Sequence, residues 1–172
     1  MNQQELTQKL ENIYIKSKEL LNQVMGQDYK SSGNIAIFAQ SEEEYKILND
    51  LKTQITKHSN NPNQKYFELI KPITFTYKNY PADKFTHLYI RKYDSSEYGK
   101  NIGDVDFICS DEEYKVLREQ VQNGQFKGAE IYGRPGWDNI QITSKDYNVL
   151  PYLGPLEMAI KARIKFDDLT NL

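Results

Sequence analysis

The chain has 172 residues, a length typical of one domain, and we predict a single domain over residues 1–172. Hydrophobic residues make up 38% and aromatic residues 12% of the sequence, enough to build a buried core and to exclude general disorder. The formal net charge of −2 disfavours a basic nucleic-acid-binding protein. The single cysteine, Cys109, excludes an internal disulfide and a zinc site built from several cysteines.

The first residues lack the basic segment and the apolar run of a signal peptide. No apolar stretch approaches the roughly 18 residues that a membrane-spanning helix needs. We therefore predict a soluble cytoplasmic protein without a membrane partner.

Residues 1–26 are predicted to form an amphipathic N-terminal helix. Apolar residues recur at roughly helical spacing from Leu6 to Val24, and Gly26 ends the pattern. Residues 30–33 are predicted to form a turn, and residues 34–39 a short buried strand.

A sequence of eight residues occurs twice, and each copy predicts the start of a helix. Residues 41–48 (SEEEYKIL) match residues 110–117 (SDEEYKVL), with six of the eight positions identical. In both copies a serine at the N-cap and a glutamate three residues later follow the capping-box pattern. Each copy also follows a strand that ends in a matched phenylalanine, Phe38 or Phe107. We therefore predict two similar strand–helix–strands modules, with convergent helix capping as the alternative interpretation.

The first module is predicted over residues 34–92 and the second over residues 102–147. In the first module, residues 65–70 and 73–77 alternate like strands, and Pro72 between them indicates a bulge or an edge strand.

A C-terminal helix is predicted over residues 154–166, because Gly154 and Pro155 are typical of a helix start. The predicted fold class is α+β: two modules form a curved, mostly antiparallel or mixed sheet, flanked by N- and C-terminal helices.

The order of elements resembles the glyoxalase, or vicinal-oxygen-chelate, superfamily. The resemblance rests on the paired modules and on Val105-Asp106-Phe107 leading into Asp111-Glu112-Glu113-Tyr114, and it covers residues 34–143. It implies a curved sheet assembled from two such modules.

The resemblance also implies a divalent metal held in the sheet by a histidine on the first strand of each module and a glutamate on a later strand. This chain carries Asn34 and Asp104 or Asp106 on the first strands, and His87 late in the first module. The implied metal site is therefore absent or rebuilt here.

Asp104 and Asp106 alternate on a predicted strand and therefore share a face. Two such carboxylates can hold the Mg²⁺ of a nucleotidyl-transfer enzyme, or they can be an ordinary turn residue and a solvated strand residue. A hairpin through residues 93–101 would place His87 beside them. His87 and Asp106 are then the candidate catalytic residues, and His87, Asp104 and Asp106 the candidate metal ligands.

Four further residues are candidates for ligand binding. Arg91 offers a planar partner for an anion, and Tyr89 offers a ring for stacking. Arg134 and Trp137 flank a rigid turn, and an arginine beside an exposed tryptophan is a common recognition anchor.

These observations favour a small-molecule-binding domain, with a metal-assisted enzyme of glyoxalase-like architecture as its catalytic form. The first alternative is a non-enzymatic module that binds a protein partner through its tyrosines and Trp137. The second is a metal-dependent nucleotidyl- or phosphoryl-transfer enzyme that uses Asp104 and Asp106. The cofactor stays open, with a divalent metal as the candidate for the two catalytic interpretations, and pairing of modules across a homodimer stays open as well.

Overall fold

The computed structural model describes residues 1–134 and 137–161, with the backbone alone described at Arg134 and Trp137. This part of the chain contains seven strands and three long helices. The helices are α1 (Gln3–Met25), α2 (Glu42–Ile55) and α3 (Asp111–Gln122). The strands are β1 (Lys30–Phe38), β2 (Tyr66–Phe75), β3 (Asp83–Arg91), β4 (Gly103–Cys109), β5 (Ala129–Arg134), β6 (Trp137–Ile142) and β7 (Leu150–Pro155). A short 3-10 helix covers Tyr98–Lys100, and residues 156–161 are helical.

The strands form one mixed sheet in the order β2-β3-β1-β4-β7-β6-β5. The pairs β1–β3 and β4–β7 are parallel, and the other neighbouring pairs are antiparallel. Each half of the sheet is therefore a strand, a helix and returning strands, and the halves meet where β1 pairs with β4. The predicted α+β class with a mixed sheet and flanking N- and C-terminal helices is confirmed.

Helix α1 matches the N-terminal prediction closely. The Asn2 side chain accepts a hydrogen bond from the backbone N–H of Glu5, whose carboxylate in turn accepts from the Asn2 N–H, so a complete capping box starts the helix. Gly26 ends it with a left-handed backbone at φ 77°.

The core lies between the three long helices and one face of the sheet. Apolar residues of α1, α2 and α3 form a single buried cluster with side chains of the sheet, such as Ile35, Leu88 and Val105. On the other face, a second and smaller cluster contains Ala36, Phe38, Leu150 and Tyr152. We call this second side, which α1, α2 and α3 leave uncovered, the open face.

Both repeated serines cap helices as predicted, but the glutamates behave differently. Ser41 and Ser110 accept hydrogen bonds from the N–H groups of Glu44 and Glu113, at 3.0 and 3.1 Å. The Glu44 carboxylate instead accepts from the N–H of Gln40, one residue before the N-cap. The Glu113 carboxylate accepts from the side chain of Gln27, so neither copy completes a capping box.

The predicted turn at residues 30–33 is wrong, because these residues belong to β1. Gly33 has a positive φ of 94°, and the β1–β4 register shifts between Ser31 and Ile35. A β-bulge therefore accommodates the residues that suggested a turn.

Pro72 lies within one continuous strand, β2, rather than between two strands. The β2–β3 register shifts between Glu68 and Ile73, and β2 is at one end of the sheet. Strand β2 therefore contains the predicted bulge and is also an edge strand.

Strand β7 was not expected from the sequence, and it extends the second half of the sheet beyond the predicted boundary at residue 147. It pairs with β4 over its whole length, from Leu150 to Pro155. Helical structure begins only at Leu156, and residues 162–166 of the predicted helix lie outside the described residues.

The expected hairpin between β3 and β4 is also wrong, because β1 lies between these two strands. Two strand spacings, about 9–10 Å, therefore separate β3 from β4. Among the described residues, no helix is both long enough and apolar enough to cross a membrane.

Candidate functional site

The candidate site is the centre of the open face, where β4 carries two acidic residues. In the sheet register Asp104 lies between Ala36 on β1 and Leu150 on β7. Asp106 lies beside Tyr152 on β7 and receives a hydrogen bond from the Asn34 side chain of β1, from Nδ2 to Oδ2 at 3.4 Å. The alternation of strand side chains therefore puts both carboxylates on one face, as predicted.

Asp104 is the more deeply buried acid, with only 7% of its surface exposed. Burial raises the pKa of its carboxyl well above the ordinary range, and the neighbouring Asp106 charge raises it further. The Arg91 charge and a 3.5 Å hydrogen bond from the Tyr66 hydroxyl oppose this rise. Asp104 thus resists ionisation despite two partners that favour it.

Burial also raises the pKa of Asp106, to about 6. The hydrogen bond from Asn34 favours the charged form and limits the rise. Two acids that are costly to ionise together form a site at which an added positive charge is stabilising.

Two tyrosines form the wall beside Asp104. The rings of Tyr66 on β2 and Tyr89 on β3 lie 5.3 Å apart between centroids, and their residues are paired in the sheet. Burial raises the pKa of both phenols, so both hydroxyls keep their protons at neutral pH. They can therefore act as hydrogen-bond donors to a ligand or to Asp104.

Arg91 lies at the end of β3 and stacks on two aromatic rings. Its guanidinium carbon is 4.3 Å from the Tyr98 ring centroid and 5.2 Å from that of Phe38. The Nη2 atom donates to the Asp94 carboxylate at 3.1 Å. Rings and carboxylate hold this side chain in place, so its charge is a fixed feature of the open face.

A second hydrogen-bonded group continues the open face beyond Asp106. The hydroxyl oxygens of Tyr98 and Tyr152 are 3.0 Å apart, and the Gln141 side chain donates to the Tyr152 oxygen at 2.8 Å. Burial raises the pKa of both phenols, so this group stays neutral.

His87 lies one strand farther from the two aspartates than the predicted hairpin would have placed it. It lies opposite Asn34 in the β1–β3 register, with 7% of its surface exposed, and its Nδ1 is 2.9 Å from the Thr86 hydroxyl. Asn34 and strand β1 therefore separate it from Asp106. Among residues 1–134 and 137–161, no three or more His, Cys, Asp or Glu side chains group so as to hold a metal ion.

Arg134 and Trp137 pair with each other across the β5–β6 hairpin. Their side chains lie outside the part of the chain that the structure describes, so their predicted contact with a ligand stays a prediction.

The sequence did not single out several residues that line the open face. Tyr152 was missed because β7 was missed, and Ser32 because its segment reads as a turn. Tyr66 and Tyr98 are two of thirteen tyrosines, and no motif distinguishes them from the others. The usable signal was strand alternation, which did identify Tyr89, Arg91, Asp104 and Asp106.

No protein-family model matches this sequence, and no curated protein matches it significantly. Among solved structures, the chain is similar to one described as "Structural Genomics, Protein EC4020", with a TM-score of 0.55 and 10% identity. The match covers 92% of this chain and 91% of the other. At this identity the likeness concerns the fold alone.

Proposed function

We propose that this protein binds a small polar ligand on the open face of its sheet, with Asp104 and Asp106 as the polar anchor. The observation that carries the proposal is that two neighbouring carboxylates, Asp104 buried and Asp106 half-buried, lie on the sheet face that α1, α2 and α3 leave uncovered, and both have raised pKa values. Neighbouring acids with raised pKa values are more typical of functional sites than of structural positions, and Asp106 also lines a small cavity.

The surrounding residues support the same function. Tyr66 and Tyr89 would provide flat, rigid surface with hydroxyl donors, and Arg91 would provide a fixed positive charge at the rim. A polar ligand could therefore be oriented by several groups at once, with little side-chain entropy lost.

We base the proposal on the aspartates as charge and hydrogen-bond partners rather than as metal ligands. A glyoxalase-like arrangement remains part of the proposal at the level of element order, supported by two strand–helix–strands halves that meet at β1 and β4. Metal-assisted catalysis would require ligands beyond this acidic pair.

The test is two-dimensional amide NMR of the labelled protein with small compounds of three charge classes: amines, carboxylates and neutral polyols. We expect at least one class to cause saturable shifts in the strands around Asp104, Ala36 and Leu150. Asp104→Asn should weaken that binding at least fivefold, because an amide of nearly the same volume can neither ionise when a ligand binds nor offer the same hydrogen-bond acceptors. Titrations with Mg²⁺ and Zn²⁺ after EDTA treatment test the metal-assisted form separately.

Asp146→Asn is the matched control, since Asp146 is exposed in a turn away from β4. It should leave binding unchanged. Shifts confined to the helices, or no saturable shift with any class at 50 mM, would contradict the proposal.

A further inference from the structure

A small cavity lies between the open face and the helical residues 156–161. Its volume is about 30 Å³, room for one or two water-sized groups. Strands β1, β4, β6 and β7 and the helical segment contribute its walls. The lining residues that matter here are Ser32, Asn34, Asp106, Tyr152, Pro155 and Met158.

Two buried oxygen atoms that belong to the lining residues have no hydrogen-bond partner. The Asn34 side chain is 4% exposed and donates its Nδ2 to Asp106, so its Oδ1 is left as an unused acceptor. The Oγ of Ser32, which is 8% exposed, is also unpartnered. Leaving a buried acceptor without a hydrogen bond is destabilising, so both atoms favour a bound group that carries donors.

The orientation of the Asn34 amide fits an ionised Asp106. Reversing the amide would set its oxygen against the carboxylate, which is unfavourable unless Asp106 is protonated. With Asp106 charged, the residues that line the cavity therefore carry three kinds of acceptor: a carboxylate, an amide oxygen and a hydroxyl.

We infer that this cavity binds a primary ammonium group, the charged end of an alkylamine ligand. Three acceptors match the three N–H donors of an ammonium group, and the carboxylate matches its charge. The apolar walls of Pro155 and Met158 suit the adjoining methylene groups. The inference rests on the proposed function, since it names the ligand class for the same acidic site.

Other occupants fit less well. A water molecule or a hydroxyl brings fewer donors and no charge. Mg²⁺ requires near-octahedral oxygen ligands, and among the described residues that line the cavity Asp106 is the one carboxylate. An anion would face a carboxylate and two acceptors.

The probes are n-propylammonium chloride, 1-propanol and sodium propionate, three molecules of similar size that differ in charge. Binding is measured by amide NMR in phosphate buffer at pH 7.5 and constant ionic strength. We expect propylammonium to shift the amides of Asn34 and Asp106 saturably, with affinity at least tenfold above that of propanol. Asp106→Asn should weaken it at least tenfold and Ser32→Ala severalfold, whereas Asp146→Asn should have no effect.

Equal affinity for propylammonium and propanol, or an unchanged affinity in Asp106→Asn, would overturn the inference and leave the cavity as a water site. If propionate or a polyol binds at Asp104 while propylammonium does not, the ammonium assignment is wrong and the proposed function stands. If no class binds at all, both fail.

Discussion

Asp104 and Asp106 show how neighbouring residues of the same type acquire different properties. They are two positions apart on one strand, yet Arg91 and Tyr66 act on Asp104, whereas Asn34 is the hydrogen-bond donor to Asp106. The raised pKa of both makes the ionised pair costly in the folded protein. This cost is typical of residues retained for binding rather than for stability.

The pKa of Asp106 predicts a specific pH dependence of stability. An unfolded aspartate has a pKa near 3.9, and the folded value is about 6. The stabilisation is therefore complete below about pH 4 and is lost as the pH rises through about 6. Asp106→Asn cannot ionise, so at pH 7.5 we expect its free energy of unfolding to be about 3 kcal/mol higher than that of the unmodified protein.

Urea unfolding of both proteins from pH 4 to pH 8 measures this difference. The advantage of the variant should shrink toward pH 4, where both side chains are neutral. A difference that stays constant with pH would show that the folded pKa of Asp106 is not raised.

Lys18 is a buried cation whose role can also be tested. It is fully buried, and its Nζ lies 2.7 Å from Asp28 and 2.9 Å from Asp83. It also donates to the carbonyl oxygen of Tyr29 at 2.6 Å. These contacts join α1 to β3 and to the segment that leads into β1.

Lys18→Met should lower the free energy of unfolding by about 3–5 kcal/mol, because Asp83 stays buried at 1% exposure without its cation. Adding Asp83→Asn should restore part of the loss, since the more buried of the two unpaired carboxylate charges is then removed. A double-mutant cycle by urea denaturation measures the coupling. Additive effects would contradict an energetically important pair.

At the scale of elements, each copy of the repeated octapeptide stabilises the start of its helix through its N-cap serine. Ser110→Ala removes the acceptor for the Glu113 N–H, and we expect a loss of about 1 kcal/mol in thermal or urea unfolding. Ser110→Asp should retain most of the stability, because aspartate also caps helices. Equal stability of the alanine and aspartate variants would exclude a capping role.

The helices were predictable because caps and apolar spacing are local properties of the sequence. β7 was not, because Pro151 and Pro155 lack the N–H donors that a central strand normally uses. Pro151 lies beside Val105 of β4. The pairs between β6 and β7 are Gln141–Tyr152 and Ile140–Leu153, so Pro151 is not one of the residues of β7 that pair with β6. Strand alternation found the acidic pair, but no local pattern indicates that β1 inserts between β3 and β4.

At the scale of the whole molecule, the two sequence repeats do not superimpose their strands. Phe107 packs in the core beneath the helices, whereas Phe38 lies on the open face and stacks on Tyr98. Instead, Ala39 and Cys109, which are 70 positions apart, both lie in the main core. The octapeptides, 69 positions apart, therefore correspond at the helix starts. In the strands before them the corresponding core residues are 70 positions apart, so residues 69 apart, such as Phe38 and Phe107, lie on opposite faces of the sheet.

The contact between the two halves depends on the absence of a side chain at Gly103. A Cβ there would lie 2.2 Å from the carbonyl oxygen of Ala36 on β1 and 2.7 Å from Cδ1 of Ile13 on α1. Backbone and core must both move to admit a methyl group, so β1 and β4 would separate where the halves of the sheet meet. We expect Gly103→Ala to lower the free energy of unfolding by about 2–3 kcal/mol.

Gly154→Ala in β7 is the matched control, because its Cβ would make only an ordinary contact, 3.6 Å from the Cβ of Asn139. Urea unfolding should therefore place Gly154→Ala near the unmodified protein and Gly103→Ala well below it. Gly103→Ala should increase the rate of amide exchange more in β1 and β4 than in the outer strands β2 and β5. If the two variants unfold alike, close packing of β1 on β4 does not limit the stability of the sheet.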